Sequence, residues 1–361
     1  MYIFFDNIIF ELQRAGGISV YWAELLSRHS LDYKSYFGRK NSNIFASYLH
    51  LNLKDEVYPN FVPRRYFPFW PKSDYVKIAK YIFHSSYFRY SNNSNAINVT
   101  TVHDFTYEYY SHGLRKWVHG WQKKNAVKKS AGIICVSENT KIDLLKFYPW
   151  VDKSRIKVIY NGVSDDFSLQ KDAYKLLNDQ LGFQHDRPYI LFVGDRSPYK
   201  NFDVFLGLAD KLPEYDLVVV GGQDFNNDEK QKIFAIKDRV HHFRGISSQH
   251  LNLLYNAAFC LIYPSSYEGF GIPVLEAMKS GCPVVSTNLS SIPEVAGGAA
   301  LLVDTVTVNS MFDQVKRLEN TELRDIIISK GIKQASQFSW DKCFEETYAF
   351  YQELWERSEI K

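Results

Sequence analysis

Short apolar runs alternate with longer segments of helical period along most of the chain, the pattern of parallel strands covered by helices. In the first half "YIFF" (2–5), "YIFH" (81–84), "INVTTV" (97–102), "GIICVS" (132–137) and "IKVIY" (156–160) predict strands, and 18–29, 115–129 and 138–147 predict helices. The second half predicts strands at "YILFVG" (189–194), "DLVVVGG" (216–222), "FCLIYP" (259–264) and "PVVSTN" (283–288), with helical stretches near 201–211, 226–238, 247–257 and 273–280. The polar stretch "NGVSDDFSLQKD" (161–172) marks a boundary, dividing 1–165 from 166–339. The end of the chain reads as helical. Its segment "FSWDKCFEETYAFYQELWER" carries an aromatic face at Trp340, Phe344, Tyr348, Tyr351 and Trp355 that needs a surface to pack on. The expected class is α/β, two open parallel sheets whose ligands bind at the carboxyl ends of strands.

Composition supports this division. The 361 residues suit two domains, and 45% hydrophobic content is that of a soluble globular protein. No segment approaches the run of about 20 apolar residues that spans a bilayer. The opening "MYIFFDNIIFELQ" has no basic start and no small-residue cleavage site, and Asp6, Asn7 and Glu11 interrupt it, so it reads as a first strand and not a signal peptide. Cys135, Cys260, Cys282 and Cys343 lie far apart without a CxxC pair, as small buried thiols in a reducing cytoplasm would. Charge is uneven. Residues 1–165 hold 23 Lys and Arg against 13 Asp and Glu, which leaves 20 against 27 of the chain's 43 and 40 for the remainder. The halves face different electrostatic neighbours.

Five predicted strand ends carry chemistry. Gly16 and Gly17 precede a helix expected to begin near Ile18, where backbone N–H groups could meet an anion. No GxGxxG accompanies them, so the ordinary dinucleotide fingerprint is absent. His103 and Asp104 follow a buried strand directly, as a pair facing substrate hydroxyls or as an Asp-led turn. In "GDRSPYKN", Gly194 ends a strand, and Arg196 and Lys200 stand before a helix whose cap could be Asn201, two cations suited to a diphosphate. Gly221 and Gly222 close another strand. In "YPSSYEGFGIPVLEAM" (263–278), Pro273 fits the first helical turn and Gly281 the position past its end. This spacing puts Glu276 in the first turn and Glu268 in the preceding loop. A carboxylate is a standard acceptor for the two hydroxyls of a ribose, and the backbone from Gly269 through Phe270 to Gly271 could serve further hydroxyls or a phosphate. An anion clamp, a diol clamp and a His/Asp pair together describe a nucleotide-sugar.

The stretch "YEGFGIPVLEAMKSGCPVVSTNLSSIPEVAGGAALLVD" resembles the donor-binding signature of retaining glycosyltransferases of family 4, which adopt the GT-B fold of two Rossmann-like domains facing a central cleft. The resemblance extends to "GGISVYWAEL", "VTTVHD", "ICVSENTKIDLL", "VIYNGV" and "GDRSPYKN", and "FELQRAGGISVYWAEL" looks most like bacterial O-antigen and surface-polysaccharide enzymes, often mannosyltransferases. It implies a donor-binding domain over 166–339 and an acceptor-binding domain over 1–165, to which a C-terminal helix, 340–361, returns. Glu276 then matches the glutamate on the ribose, Glu268 the one on the transferred sugar, Phe270 and Gly271 the backbone amides, and Arg196 and Lys200 the diphosphate pair. Gly17 matches the N-terminal glycine near the phosphate and His103 the histidine facing the donor sugar. The spacing of Arg196 from Lys200 departs slightly from many relatives. The resemblance further implies retention of anomeric configuration, same-face attack, and no metal or other cofactor. No DxD motif or histidine cluster argues for one.

The basic half has a second pattern. "GLRKWVHGWQKKNAVKKSAG" carries Arg115, Lys116, Lys123, Lys124, Lys128 and Lys129 without an acid, with Trp117 and Trp121 one turn apart, and "PRRYFPFWPKSDY" adds Arg64, Arg65 and Lys72 among aromatics. Such interleaving suits an anionic membrane surface, at the inner face of the cell membrane, beside a saccharide or lipid-linked acceptor. The alternative is tryptophans packed inward behind a solvated lysine face. Nucleic acid is not expected, since no recognition motif is present and the second half is acidic. The leading expectation is a hexosyltransferase using a nucleotide-sugar, GDP-mannose before UDP- and dTDP-sugars. Alternatives are a nucleotide-sugar epimerase, a phosphorylase-type enzyme, or a non-catalytic sugar-binding subunit.

Overall fold

A computed structural model describes residues 1–28, 33–36, 43–45, 68, 80–184 and 186–359. The chain divides into two compact units, Met1–Gly162 together with Trp340–Lys361, and Val163–Ser339.

In the first unit six parallel strands lie in the order β2-β1-β3-β4-β5-β6. These are β1 (Ile3–Asp6), β2 (Tyr33–Tyr36), β3 (Tyr81–Ser85), β4 (Ala96–Val102), β5 (Gly132–Cys135) and β6 (Ile156–Val158). The order reverses at β1, between β2 and β3. Strands β1, β3 and β5 are buried along their whole length, as continuous apolar runs covered on both faces require. The helix Gly17–Ser27 buries Tyr21, Trp22, Leu25 and Leu26. The C-terminal helix Trp340–Glu359 completes this unit. Tyr351 hydrogen-bonds His84 on β3, and a Cβ on Gly132 would collide with Leu354 and Phe350, so only glycine lets that helix approach β5. Its buried face is Trp340, Cys343, Thr347, Phe350, Tyr351 and Leu354. The expected aromatic stripe is thus rotated in part: Phe344, Tyr348 and Trp355 are only half-buried, because the small Cys343 and Thr347 take the tightest positions.

The second unit repeats the theme with the order β12-β11-β10-β7-β8-β9, all parallel. Its strands are β7 (Tyr189–Val193), β8 (Asp216–Val220), β9 (Val240–Phe243), β10 (Cys260–Tyr263), β11 (Val284–Thr287) and β12 (Leu301–Val303). From β7 the chain winds to β8 and β9 on one side, then to β10, β11 and β12 on the other. The switch point lies between β7 and β10, paired at Ile190 and Cys260. In doubly wound sheets that crevice, outside the carboxyl ends of the strands, is where ligands bind. All four cysteines are free and buried.

Candidate active site

The loops that leave β7 and β10 are tied to each other at the switch point of the second unit. Gly194 directly follows β7, and the 3₁₀ turn Pro198–Lys200 leads into the helix Phe202–Lys211. The loop after β10 ends at the helix Ile272–Lys279. Ser266 N–H donates to the Tyr199 carbonyl at 2.8 Å. Asn201 does not cap its helix as expected. It takes a left-handed backbone, and its amide donates to the Pro264 carbonyl and Ser266 Oγ, both at 2.8 Å. Its side chain is spent on the neighbouring loop.

That fastening brings Lys200 to Glu268, with Nζ 2.8 Å from Oε1 and both side chains largely withdrawn from solvent. Burial works against the ammonium charge, but Glu268, Tyr199 and Asp195 more than offset it, so Lys200 is held above the ordinary lysine range. The loop carrying Glu268 is held on both sides. Glu268 N–H donates to Ser290 Oγ, and the Ser291 hydroxyl donates to the carbonyls of Glu268 and Phe270. Gly269 lies within this loop, and Phe270 is buried edge-on to Phe338. Gly271 has φ 106°, a conformation that demands glycine, and its turn launches the helix.

Glu276 is the fifth residue of that helix, one residue deeper than the spacing predicted, because the helix begins at Ile272 and Pro273 is its second residue. Its Oε2 accepts the Tyr255 hydroxyl at 3.0 Å. Burial, only partly opposed by that hydrogen bond, pushes its carboxyl up to about 7.

The two cations expected to share one diphosphate have separate partners. Arg196 donates through Nε to Glu229 Oε1 at 2.8 Å and through Nη2 to the carbonyls of Gln223 and Asp224, with its guanidinium 4.8 Å from the Phe225 ring centre. Glu229 itself caps its helix through Asn226. Arg196 thus lies over Gly222 and binds the loop after β8 that Gly221 and Gly222 begin, while Lys200 faces Glu268. The fork of Arg196 is absorbed by carbonyls that the sequence spacing does not reveal.

In the first unit His103 follows β4, its ring edge-on to Tyr21 at 5.0 Å and its Nε2 buried without a hydrogen-bond partner. Burial, opposed by Asp104 and assisted by Lys123, lowers it to about 4, so the imidazole is neutral near pH 7. Asp104 Oδ1 accepts the Thr106 N–H at 2.9 Å, the Asp-led turn that stood as one reading of the pair. The helix expected near Ile18 begins at Gly17, with Gly16 at its N-cap. Gly16 has φ 165°, which any residue adopts.

Lys123 corrects the basic-face expectation. It is fully buried in the helix Gly113–Lys129, where Nζ meets Glu108 Oε2 at 2.7 Å and the Asp104 carbonyl at 2.8 Å, and lies 4.2 Å from the Phe105 ring centre. The rest of the face is open. Leu114, Trp117 and Trp121 are exposed by 76, 67 and 47%, with Lys116 and Lys124 exposed beside them. The tryptophans therefore do not pack inward. Arg115 lies in the first turn of that helix; Arg64, Arg65 and Lys72 fall outside the described residues. Among the described residues no group of three or more His, Cys, Asp or Glu is placed to hold a metal ion, and no helix is long and apolar enough to cross a membrane.

Two doubly wound parallel sheets with a helical return to the first define the GT-B class of glycosyltransferase folds. Residues 15–167 match the family model Glycosyltransferase Family 4 and residues 175–334 the model Glycosyl transferases group 1, and the chain belongs to these glycosyltransferases. It is 29% identical over 315 residues to the O-antigen chain mannosyltransferase B of Escherichia coli, covering 83% of this chain and 80% of that protein. It is 32% identical over 224 residues to the O-antigen chain mannosyltransferase RfbU of Salmonella typhimurium, covering 61% of this chain and 60% of that one. The crystal structure of Anabaena HepE in complex with UDP-glucose superposes with a TM-score of 0.77 at 16% identity, over 98% of this chain and 100% of that chain.

The supports of the site were missed in sequence: Ser290, Ser291, Tyr255, Tyr263 and Glu229. "NLSSIPE" carries a serine pair before Ile-Pro that signals a helix start. Nothing local in it shows that those hydroxyls hold the loop 268–271.

Proposed function

We propose that this chain is a retaining, metal-independent hexosyltransferase that moves mannose from GDP-mannose to a saccharide acceptor, lipid-linked, in cell-surface polysaccharide synthesis. The observation that carries the reading is the meeting of Lys200 and Glu268 at the switch point of the second sheet, with Glu276 on the helix that follows. Glu276 takes the ribose hydroxyls and Glu268 the transferred sugar. Lys200, with the backbone of the 268–271 loop, takes the diphosphate. Both relatives being O-antigen mannosyltransferases supports the choice of sugar.

In this reading the bond between the anomeric carbon and the diphosphate oxygen breaks while the acceptor hydroxyl attacks from the same face. The proton of that hydroxyl passes to the departing phosphate oxygen. Lys200 stabilises the charge that develops there, the task a divalent ion performs in other enzymes. His103, kept neutral by burial, carries a hydrogen-bonding group at Nε2 rather than a positive charge.

The first unit supplies the acceptor side. Leu114, Trp117 and Trp121 with Lys116 and Lys124 form an apolar stripe flanked by cations, suited to the inner face of an anionic membrane bearing the lipid-linked acceptor.

The test is a panel of GDP-, UDP- and dTDP-sugars scored for thermal stabilisation and for release of nucleoside diphosphate with and without a lipid-linked saccharide. GDP released only when acceptor is supplied, with the anomeric configuration kept and activity unchanged by EDTA, is the expected result. Interconversion of the sugar without nucleotide release would identify an epimerase. Stabilisation with no turnover would identify a binding subunit.

A further inference from the structure

Two buried tyrosines from one helix–strand unit stand near the glutamates of the donor site, and one of them is hydrogen-bonded to its glutamate. Tyr255 lies in the helix Ser248–Ala257, with no exposed surface, and its ring stands edge-on to Phe167 at 5.9 Å. Its hydroxyl donates to Glu276 Oε2 at 3.0 Å. Tyr263 is the last residue of β10, the strand that follows this helix, and is also buried. Lys200 Nζ, the ion-pair partner of Glu268, lies 5.4 Å from the Tyr263 ring centre.

We propose that Tyr255 is a positioning residue for the ribose-binding carboxylate, fixing which oxygen of Glu276 remains for the ligand. The inference rests on the assignment of Glu276 to ribose and Glu268 to sugar. A carboxylate has about four lone-pair sites. Tyr255 commits Oε2 of Glu276, so Oε1 is left for the vicinal hydroxyls. Burial and the adjacent Glu276 push the Tyr255 hydroxyl well above its ordinary range, so it remains protonated and acts toward that carboxylate as the donor.

Tyr255 has a second effect. Burial raises Glu276, and the Tyr255 hydrogen bond is the force that lowers it. The other titratable group that senses Glu276 is Tyr263, and Lys279 on the same helix is bound to Asp165. Loss of the Tyr255 hydroxyl therefore leaves the carboxylate with burial unopposed, and a neutral carboxyl is a poorer acceptor for a diol.

Calorimetric binding of GDP and of UDP by the intact chain from about pH 5.5 to 8.5 tests this. In the parent, affinity for the preferred nucleotide should rise through about pH 7. Tyr255→Phe keeps the ring against Phe167 and should move that midpoint up by about one unit, giving about tenfold weaker binding below it and convergence above. A superimposable profile, or a loss equal at every pH, would overturn the proposal. In a Glu276→Gln background Tyr255→Phe should change no pH dependence, and a surviving shift would place its action elsewhere. Should the parent bind neither nucleotide, the donor-site assignment fails and the inference with it. Should Glu276→Gln abolish the midpoint that Tyr255→Phe leaves in place, the assignment stands and only the inference fails.

Discussion

Lys200 and Glu268 are each other's ion-pair partner, Nζ to Oε1 at 2.8 Å, although one is assigned to the diphosphate and the other to the sugar. Breaking the pair from either side therefore has different consequences. Lys200→Ala removes the charge that stabilises the leaving group and should lower kcat/KM by about 10²–10³. Glu268→Gln leaves the ammonium free of its counter-charge, so GDP affinity should hold or rise while kcat falls. Nucleotide calorimetry beside turnover separates the two. Equal loss of GDP affinity in both variants would show that the pair only supports the loop.

Donor binding should strengthen with pH across neutrality. Glu276 has its folded-state value raised from 4.5 to about 7, so the folded protein holds this proton more tightly than the unfolded chain. Its contribution to stability is therefore greatest below about pH 4.5 and declines as pH rises toward 7, where the carboxylate forms. The carboxylate is the form that accepts from a ribose, so affinity gains where stability is given up. Glu276→Gln should flatten both dependences, as thermal melts and binding titrations at matched ionic strength would show.

Arg196 should behave as a fastener of the loop after β8. Arg196→Gln strands Glu229 and frees the carbonyls of Gln223 and Asp224, at a cost of about 3 kcal/mol in unfolding free energy. GDP affinity at a temperature where the variant is folded should change little beside the loss in Lys200→Ala. A large loss of affinity with stability unchanged would mean that the guanidinium leaves Glu229 for the phosphate.

Lys123 is a structural cation. Replacing it with Met leaves Glu108 buried without its ion-pair partner, and should cost about 3–5 kcal/mol in denaturant unfolding. Adding Glu108→Leu should recover much of that loss. Without such recovery, the ion pair is not what makes the position costly.

The exposed stripe predicts membrane attachment. Trp117→Ser with Trp121→Ser should abolish sedimentation with anionic vesicles while leaving the melting temperature unchanged, because those rings are open to solvent. Lys116→Gln with Lys124→Gln should weaken it by about 1 kcal/mol per cation and remove most of its salt sensitivity. Binding that persists in all four substitutions would move the attachment to another surface.

How much of this was legible follows from where each feature gets its cause. Nine strands were readable, eight of them central parallel strands covered on both faces and the ninth the edge strand β6, and each lies within two residues of its expected limits. The three unread strands, β2 "YKSY", β9 "VHHF" and β12 "LLV", all lie at sheet edges, where one side is unpaired and a continuous apolar run is not required. In the site, Glu268, Glu276 and Lys200 stood out by type and position after predicted strands. The engagement of Arg196 by Glu229, the burial of Lys123 by Glu108, and the tyrosine under Glu276 join residues on different elements, and no local spacing encodes them.

The helix Trp340–Glu359 gives the chain an unusual order of assembly. The first unit contains the earliest residues and the last, with the whole second unit inserted between. During synthesis the first sheet emerges with β5 uncovered at Gly132 and with His84 lacking Tyr351, and it must wait through some 180 further residues for the segment that fills both places. The second unit, Val163–Ser339, is contiguous and meets no such delay. The donor half should therefore be the first to reach its native state on the ribosome, and the half made first the last to finish.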